Sequence, residues 1–195
     1  MKAADLRNRF KVYLDQIPIL VKANAYWALL HFMVIFPDIC GSLENVRSES
    51  SKANYINWAN RYLADPSLTG EEWYDIRCKI LHQGITTGRK RYTNYLFISP
   101  GNSGKIPHKN VRPDGSIVLD VHAMKDELIV GLEKWFQDNE NSGAQDLYQN
   151  VSANVSSIAG IVTIRGSDPT SGSIQVTSIL VSGTSSPNQT SPKLL

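Results

Sequence analysis

Apolar residues recur at helical spacing along most of the first 140 residues of the chain. This pattern predicts amphipathic helices over about 3–16, 19–36, 52–63, 69–84 and 122–139. The second is the most apolar part of the sequence, and Pro37 should kink it or end it. We expect it to lie buried in a bundle or a subunit interface rather than in a membrane, because Lys22, Asn24 and His31 interrupt it.

One region in the middle of the chain departs from the helical pattern. Residues 92–99 and 116–121 are β-like, with alternating and β-branched side chains. The segment between them is rich in glycine and proline and is typical of a long loop. We therefore predict a β-hairpin over about 92–121, inserted into the helical domain.

The composition changes after about residue 143, where charged residues nearly vanish and serine, threonine, asparagine and glycine dominate. The chain has 195 residues, of which 42% are hydrophobic, so one domain plus an appendage fits its length. We predict a mainly helical domain over 1–140 and a β-prone extension over 141–195. The extension contains a possible β-hairpin at 158–181 and should end in a disordered segment.

The net charge and the cysteine content exclude few classes of protein. The net charge of +2 is too small to indicate a nucleic-acid-binding protein by itself. Cys40 and Cys78 both lie in apolar helical contexts without metal-ligand spacing, which favours reduced thiols and a cytoplasmic location. The N-terminus lacks the apolar region of a signal peptide. We expect no metal, no cofactor and no membrane span.

The helix predicted over 69–84 has the clearest local signals. Thr69 can act as its N-cap, and Glu72 completes a capping box. Gly84 stands where a left-handed C-cap residue is expected. Arg77 and His82 then fall in the middle and the last turn, about 140° apart around the axis, and a long arginine can still reach toward the histidine.

Arginine and histidine together are sufficient for RNA cleavage without a metal. The guanidinium of Arg77 is permanently charged and matches the oxygens of a phosphate, so it can stabilise the charge of a phosphorane. Histidine is a common general acid or base, so His82 can move a proton to or from the reacting oxygens. The pair therefore predicts a site where a 2′-hydroxyl attacks the adjacent phosphate.

Further charged residues can support such a site. Asp38 and Glu44 are candidates for carboxylates that orient Arg77 or His82. Four cations close to the pair in sequence are candidates for binding neighbouring phosphates of RNA: Lys79, Arg89, Lys90 and Arg91. An ordinary solvated turn is the alternative for the last three.

The stretch YDIRCKILHQG resembles the Arg-x4-6-His signature of HEPN domains. The order of elements over about 1–140 is also similar to a bacterial HEPN-like group, with PDICGSLE after the apolar helix and YINWANRYL before the motif. The resemblance implies a small α-helical bundle in which Arg77 and His82 take the catalytic positions. It further implies a homodimer whose two motifs face each other, a metal-independent ribonuclease activity, and a toxin or defence role with a possible antitoxin partner.

Two other functions remain open from the sequence. Cys78 stands where the active nucleases commonly have a polar residue, which favours a non-catalytic module that binds a nucleotide or a partner protein. A purely structural Arg–His–carboxylate network is the third possibility. In that case Arg77 and His82 should be inaccessible, with no cleft beside them.

Overall fold

The chain folds mainly into α-helices with a small β-sheet, which confirms the predicted fold class. The structure, a computed structural model, describes residues 3–99, 106–141, 145–155, 164–166 and 174–176. The helices are α1 (Ala3–Leu14), α2 (Gln16–Lys22), α3 (Tyr26–Met33), α4 (Phe36–Leu43), α5 (Lys52–Tyr62), α6 (Gly70–Gln83), α7 (Val121–Glu140) and α8 (Gln145–Asn154). The strands are β1 (Tyr95–Ile98), β2 (Asn110–Val111), β3 (Ile117–Asp120), β4 (Ile164–Gly166) and β5 (Ile174–Val176).

The chain divides into two units, residues 1–158 and 159–195. The first contains the helical domain and the sheet formed by β1, β2 and β3. In the second, β4 and β5 pair antiparallel, with Arg165 opposite Gln175. The disordered end that we predicted lies outside the described residues.

Aromatic side chains dominate the core of the first unit. Trp58, Trp73 and Trp135 are fully buried. Phe10 of α1 packs against Trp135 and Phe136 of α7, with both pairs of ring centroids 5.4 Å apart. Such edge-to-face pairs add to the free energy of burying their apolar area, so they hold α1 on α7.

The single helix predicted over 19–36 is wrong, because the chain turns within it. Asn24 adopts a left-handed conformation with φ of 53°, which ends α2 and starts α3 in a new direction. Asparagine tolerates this conformation better than most residues. Pro37 does not end a helix either; it lies in the first turn of α4, where its missing N–H costs no hydrogen bond.

One helical stretch is long and apolar enough to meet a simple test for a membrane span. It covers Tyr26–Leu43, with a mean hydropathy of 1.4 over 18 residues, and half of it is buried inside the protein. The core helix of a soluble protein passes the same test. The finding is therefore weak support for a membrane span and agrees with the predicted buried position.

The predicted hairpin between 92–99 and 116–121 is wrong in its pairing. β1 lies parallel to β3, with Phe97 opposite Leu119, and β2 pairs antiparallel with β3 on the other side. The tight turn is formed by residues 112–115, where the amide of Gly115 donates to the carbonyl of Arg112. This Pro-Asp-Gly turn makes the β2–β3 hairpin, and the longer connection before it lets β1 run parallel.

The sequence pattern did not predict α8, which belongs to the first unit. Val151 and Val155 of this segment are buried, and two asparagine side chains donate to the C-terminal end of α4. Asn150 donates to the carbonyl of Glu44, and Asn154 donates to that of Leu43. These bonds satisfy carbonyls that a helix end leaves without intrahelical partners.

The close approach of α4 and α5 positions one side of the candidate site. A Cβ atom added at Gly41 would lie 2.8 Å from the carbonyl oxygen of Asn54, so only glycine fits there. This contact brings Asp38, in the first turn of α4, close to the start of α5, where the side chain of Ser50 donates to Asp38.

Candidate functional site

Helix α6 presents Arg77 and His82 as the sequence predicted. The capping box is present, with the amide of Thr69 donating to Oε2 of Glu72 over 2.7 Å. Gly84 ends the helix in a left-handed conformation with φ of 62°. The apolar face of α6 is buried, so the last turn leaves His82 exposed and Arg77 partly exposed.

The side chains of Arg77 and His82 meet despite their separation around the helix. Nη1 of Arg77 lies 2.9 Å from Nε2 of His82. A guanidinium can only donate, so Nε2 must accept this hydrogen bond and is unprotonated here. His82 is therefore in a form that can take up a proton at Nε2 if another group replaces Arg77.

Asp38 holds the other edge of the guanidinium. Nε of Arg77 donates to Oδ2 of Asp38 over 2.8 Å, and Oδ1 accepts from Oγ of Ser50, also over 2.8 Å. Burial lowers the pKa of Arg77, but the hydrogen bond and the charge of Asp38 outweigh it and raise the pKa overall. Arg77 is thus a fixed cation whose remaining N–H groups can bind an anion.

Glu44 does not take part in this arrangement, contrary to the prediction. Its Oε2 pairs with Arg61, and its Oε1 accepts from Nε1 of Trp135 over 2.8 Å. Burial raises the pKa of Glu44, while Arg61 and Trp135 oppose that shift. Glu44 is the C-cap of α4, about 1.7 turns beyond Asp38, so the two side chains lie on different sides of the helix and only Asp38 reaches Arg77.

Lys79 does not lie where it could bind phosphate, contrary to the prediction. Only 5% of its surface is exposed, and its Nζ donates to Oε1 of Gln83 over 3.2 Å. Two residues along a helix rotate a side chain by about 200°, so Lys79 points away from the side of Arg77. It stabilises α6 internally and is not accessible to a strand of RNA.

Lys90 and Arg91 lie near the opposite end of α6, whereas the amide of Arg89 donates to Oδ2 of Asp75 in its middle over 3.1 Å. Lys90 pairs with Glu71 in the first turn, and Arg91 donates to the carbonyl of Pro66 over 2.6 Å. Glu71 and His82 are eleven residues apart, which corresponds to about 16 Å along the axis. Lys90 and Arg91 therefore do not surround His82 and can contact only distant phosphates of a long strand.

Three residues near Arg77 were not among the site residues predicted from the sequence, which placed Tyr74 in an aromatic stripe of the core with base stacking by one exposed member as the alternative. Tyr74 lies one turn earlier on α6, and Lys52 lies at the start of α5; Ser50 contacts Asp38. The spacing of Tyr74 and Arg77 on one helix could have indicated the first. Nothing local in the sequence indicates the other two, because they reach the site through the packing of α4 and α5.

Two of the best-formed concavities of the described residues lie away from the pair, and neither is lined by Arg77 or His82. One, of about 670 Å³, lies along α4 and α5 beside Asn57 and Arg61. The other, of about 490 Å³, is apolar and lies on α3 around Trp27. The structural alternative required inaccessible side chains and no cleft beside them. The exposure of His82 argues against this alternative, whereas the smaller exposure of Arg77, 21% of its side chain, and the position of both concavities away from the pair agree with it.

Within the described residues, no group of three or more His, Cys, Asp or Glu side chains is placed to hold a metal ion. Cys40 is buried and Cys78 is partly buried, both as free thiols. No protein-family model, no curated protein and no solved structure matches the chain.

Proposed function

We propose that this protein is a metal-independent endoribonuclease of the HEPN type. The observation that carries the proposal is the 2.9 Å contact between Nη1 of Arg77 and Nε2 of an exposed His82. Asp38 fixes the guanidinium from its far side, so the cation stays beside the histidine. The resemblance of YDIRCKILHQG to the Arg-x4-6-His signature supports the same assignment.

In the proposed reaction the 2′-oxygen of RNA forms a bond to the adjacent phosphorus, and the bond from phosphorus to the 5′-oxygen breaks. The products are a 2′,3′-cyclic phosphate and a 5′-hydroxyl. The 2′-hydroxyl replaces Arg77 at Nε2 of His82 and transfers its proton there. Arg77 remains on Asp38 through Nε and turns its freed N–H groups toward the phosphate oxygens, where negative charge develops.

The reaction needs a second proton donor, because the 5′-oxygen must be protonated as it leaves. One Arg77–His82 pair supplies only the base. We propose that the protein acts as a homodimer in which two pairs converge across a two-fold axis and enclose the strand. The protonated His82 of the second copy would then be the acid. A cytoplasmic location, a toxin or defence role and an antitoxin partner belong to the same proposal.

The test is cleavage of RNA in the presence of a metal chelator. The wild-type protein should cut, and His82→Ala should cut at least about a hundredfold more slowly, since general acid–base catalysis typically contributes 10²–10⁴-fold. His31→Ala is the matched control, because His31 lies on α3 and bonds the carbonyl of Trp27 instead. Equal rates for wild type and His82→Ala would overturn the proposal.

A second candidate function is a non-catalytic module of the same type that binds a nucleotide. Cys78 favours it, because this residue stands where active nucleases commonly have a polar side chain. A thermal-shift measurement with mononucleotides separates the two candidates. Stabilisation by a nucleotide, in a wild-type protein that does not cut RNA, would favour the binding module.

A further inference from the structure

Tyr74 differs from the other aromatic residues of its neighbourhood in being accessible. Tyr55, Trp58 and Trp73 are at most 1% exposed and belong to the core. Tyr74 is partly exposed and lies three residues before Arg77, which puts both side chains on one side of α6. A partly exposed aromatic ring therefore adjoins the proposed phosphate-binding arginine.

Two cations lie over the ring of Tyr74. Cζ of Arg77 lies 5.9 Å from the ring centroid, and Nζ of Lys52 lies 5.7 Å from it. Lys52 is exposed, and within the described residues no carboxylate forms an ion pair with it. Lys90, by contrast, is paired with Glu71. The ammonium of Lys52 is thus available to an anion on the same surface as Arg77.

The ring of Tyr74 is held in place by its neighbours. It meets the buried ring of Tyr55 edge to face, with centroids 5.4 Å apart and planes at 71°. A hydrogen bond with Cys78 raises the pKa of the Tyr74 hydroxyl, and burial adds to that shift. The ring is therefore positioned before any ligand binds, which lowers the entropy cost of using it as a stacking surface.

Proteins that bind single-stranded nucleic acids combine an aromatic ring with nearby cations. Bases stack on the aromatic face, and the cations bind the phosphates on either side. In an RNA duplex the bases are stacked on each other, so a ring of this kind has access only to an unpaired base. The arrangement around Tyr74 thus selects for a strand with an unpaired nucleotide.

We infer that Tyr74 and Lys52 form a binding subsite for the unpaired nucleotide next to the bond that is cut. The base stacks on Tyr74, the reacting phosphate lies on Arg77, and the neighbouring phosphate lies on Lys52. The inference rests on the proposed ribonuclease function and adds to it the requirement for a single strand. Tyr74 and Lys52 bind the substrate in this scheme and move no proton.

The experiment measures binding of a short fluorescent single-stranded RNA to full-length His82→Ala, which should hold the strand without cutting it. Adding Tyr74→Leu should weaken binding about tenfold or more, whereas Tyr74→Phe should retain it, because the phenyl ring still stacks. A strand of the same length with abasic nucleotides should bind both Tyr74 variants equally. Lys52→Met should weaken binding of both strands, with a reduced dependence on salt.

Tyr62 provides the matched control. Its ring also has two cations near it, Arg61 at 5.0 Å and Lys134 at 6.0 Å, but Tyr62 lies at the opposite end of α5 from Lys52, and its hydroxyl bonds Asp138 on α7. Tyr62→Leu should therefore leave RNA affinity within about twofold of its parent. Circular dichroism of each variant verifies that the helices are intact.

The outcomes separate this inference from the proposed function. If wild type cuts RNA and Tyr74→Leu binds the intact strand as tightly as its parent, the subsite is wrong and the ribonuclease stands. The same conclusion follows if Tyr62→Leu and Tyr74→Leu weaken binding equally. If His82→Ala does not bind RNA and wild type does not cut it, the proposed function fails and the subsite fails with it.

Discussion

Two regions of this protein combine a cation, a histidine and a carboxylate, and they use them differently. We call Asp38, Arg77 and His82 the α6 site, and we call Asp65, His108, Lys109 and Glu127 the Lys109 network. In the α6 site the histidine is exposed and bonded to the cation. In the Lys109 network the histidine is 18% exposed and its bond goes to the carboxylate.

The Lys109 network leaves no ring nitrogen of its histidine free. The amide of Asp120 donates to Nδ1 of His108 over 2.9 Å, so Nε2 carries the proton and donates to Glu127 over 3.2 Å. Nζ of Lys109 binds the same Oε1 of Glu127 over 2.6 Å and also pairs with Asp65. These bonds connect the α5–α6 loop, the residues just before β2 and helix α7, so the network has a structural role.

The two regions also differ in the type of residue that adopts a left-handed backbone conformation. A left-handed residue follows each histidine closely, with φ of 62° at Gly84 and 61° at Lys109. Glycine adopts this conformation without strain, whereas a lysine there costs about 1 kcal/mol or more. The strain at Lys109 is tolerated because its two ion pairs hold it. Residue types alone therefore do not distinguish the two regions; the exposure of the histidine and its hydrogen-bond partners do.

The largest expected effect concerns the α6 site. Arg77→Lys keeps a charge near Asp38 but loses the planar donor group, so RNA cleavage should fall about a hundredfold, as when one transition-state donor is removed. The free energy of unfolding should change by less than about 1 kcal/mol. Arg61→Lys is the control, since Arg61 pairs with Glu44. A cleavage rate within threefold of wild type in Arg77→Lys would place catalysis elsewhere.

The second effect concerns the Lys109 network and should appear in stability. Lys109→Met leaves two carboxylates without their cation. We expect the free energy of unfolding to fall by about 2 kcal/mol. This is less than the usual loss for a buried pair, because the side chains of Asp65 and Glu127 are about a third exposed. Urea denaturation measures it. Lys52→Met should stay within about 0.5 kcal/mol of wild type. Equal stability of the two variants would contradict a structural role for Lys109.

The smallest effect is the response of the Lys109 network to acid. Burial raises the pKa values of Asp65 and Glu127, but hydrogen bonds from Lys109, and for Glu127 also from His108, lower both overall. Carboxylates with lowered pKa values stabilise the fold above their unfolded pKa of about 4, and this contribution disappears as the pH falls through the folded values. Wild type should therefore lose more stability than Lys109→Met between about pH 6 and pH 3. Parallel urea titrations at both pH values measure the difference, and identical losses would refute it.

Helices whose ends carry local capping signals could be predicted from the sequence. Thr69, Glu72 and Gly84 mark the ends of α6, and these signals put Arg77 and His82 on it. The pairing of the strands was not predictable in the same way, because a Pro-Asp-Gly turn inside the long connection redirected the chain. The break at Asn24 was missed because apolar residues continue on both sides of it.

The partners of the candidate site depended on tertiary packing. Asp38 and Glu44 are both acidic residues near α4, and the sequence does not distinguish them. The packing of α4 against α5 brings Asp38 into contact with Arg77. It places Glu44 in contact with Arg61 and Trp135 instead. The same packing brings Lys52 to the ring of Tyr74 from another helix. Contacts between residues distant in the chain have no local signature, so only the structure shows them.

The most direct test replaces each of the two histidines by alanine and compares the two variants in the same pair of assays. RNA cleavage with a metal chelator and the free energy of unfolding are measured for His82→Ala and His108→Ala. His82→Ala should lose at least about a hundredfold in cleavage rate and little stability, whereas His108→Ala should lose about 1–2 kcal/mol of stability and, when folded, cut RNA like wild type. A His82→Ala protein that cuts RNA at the wild-type rate would contradict the assignment of catalysis to the α6 site.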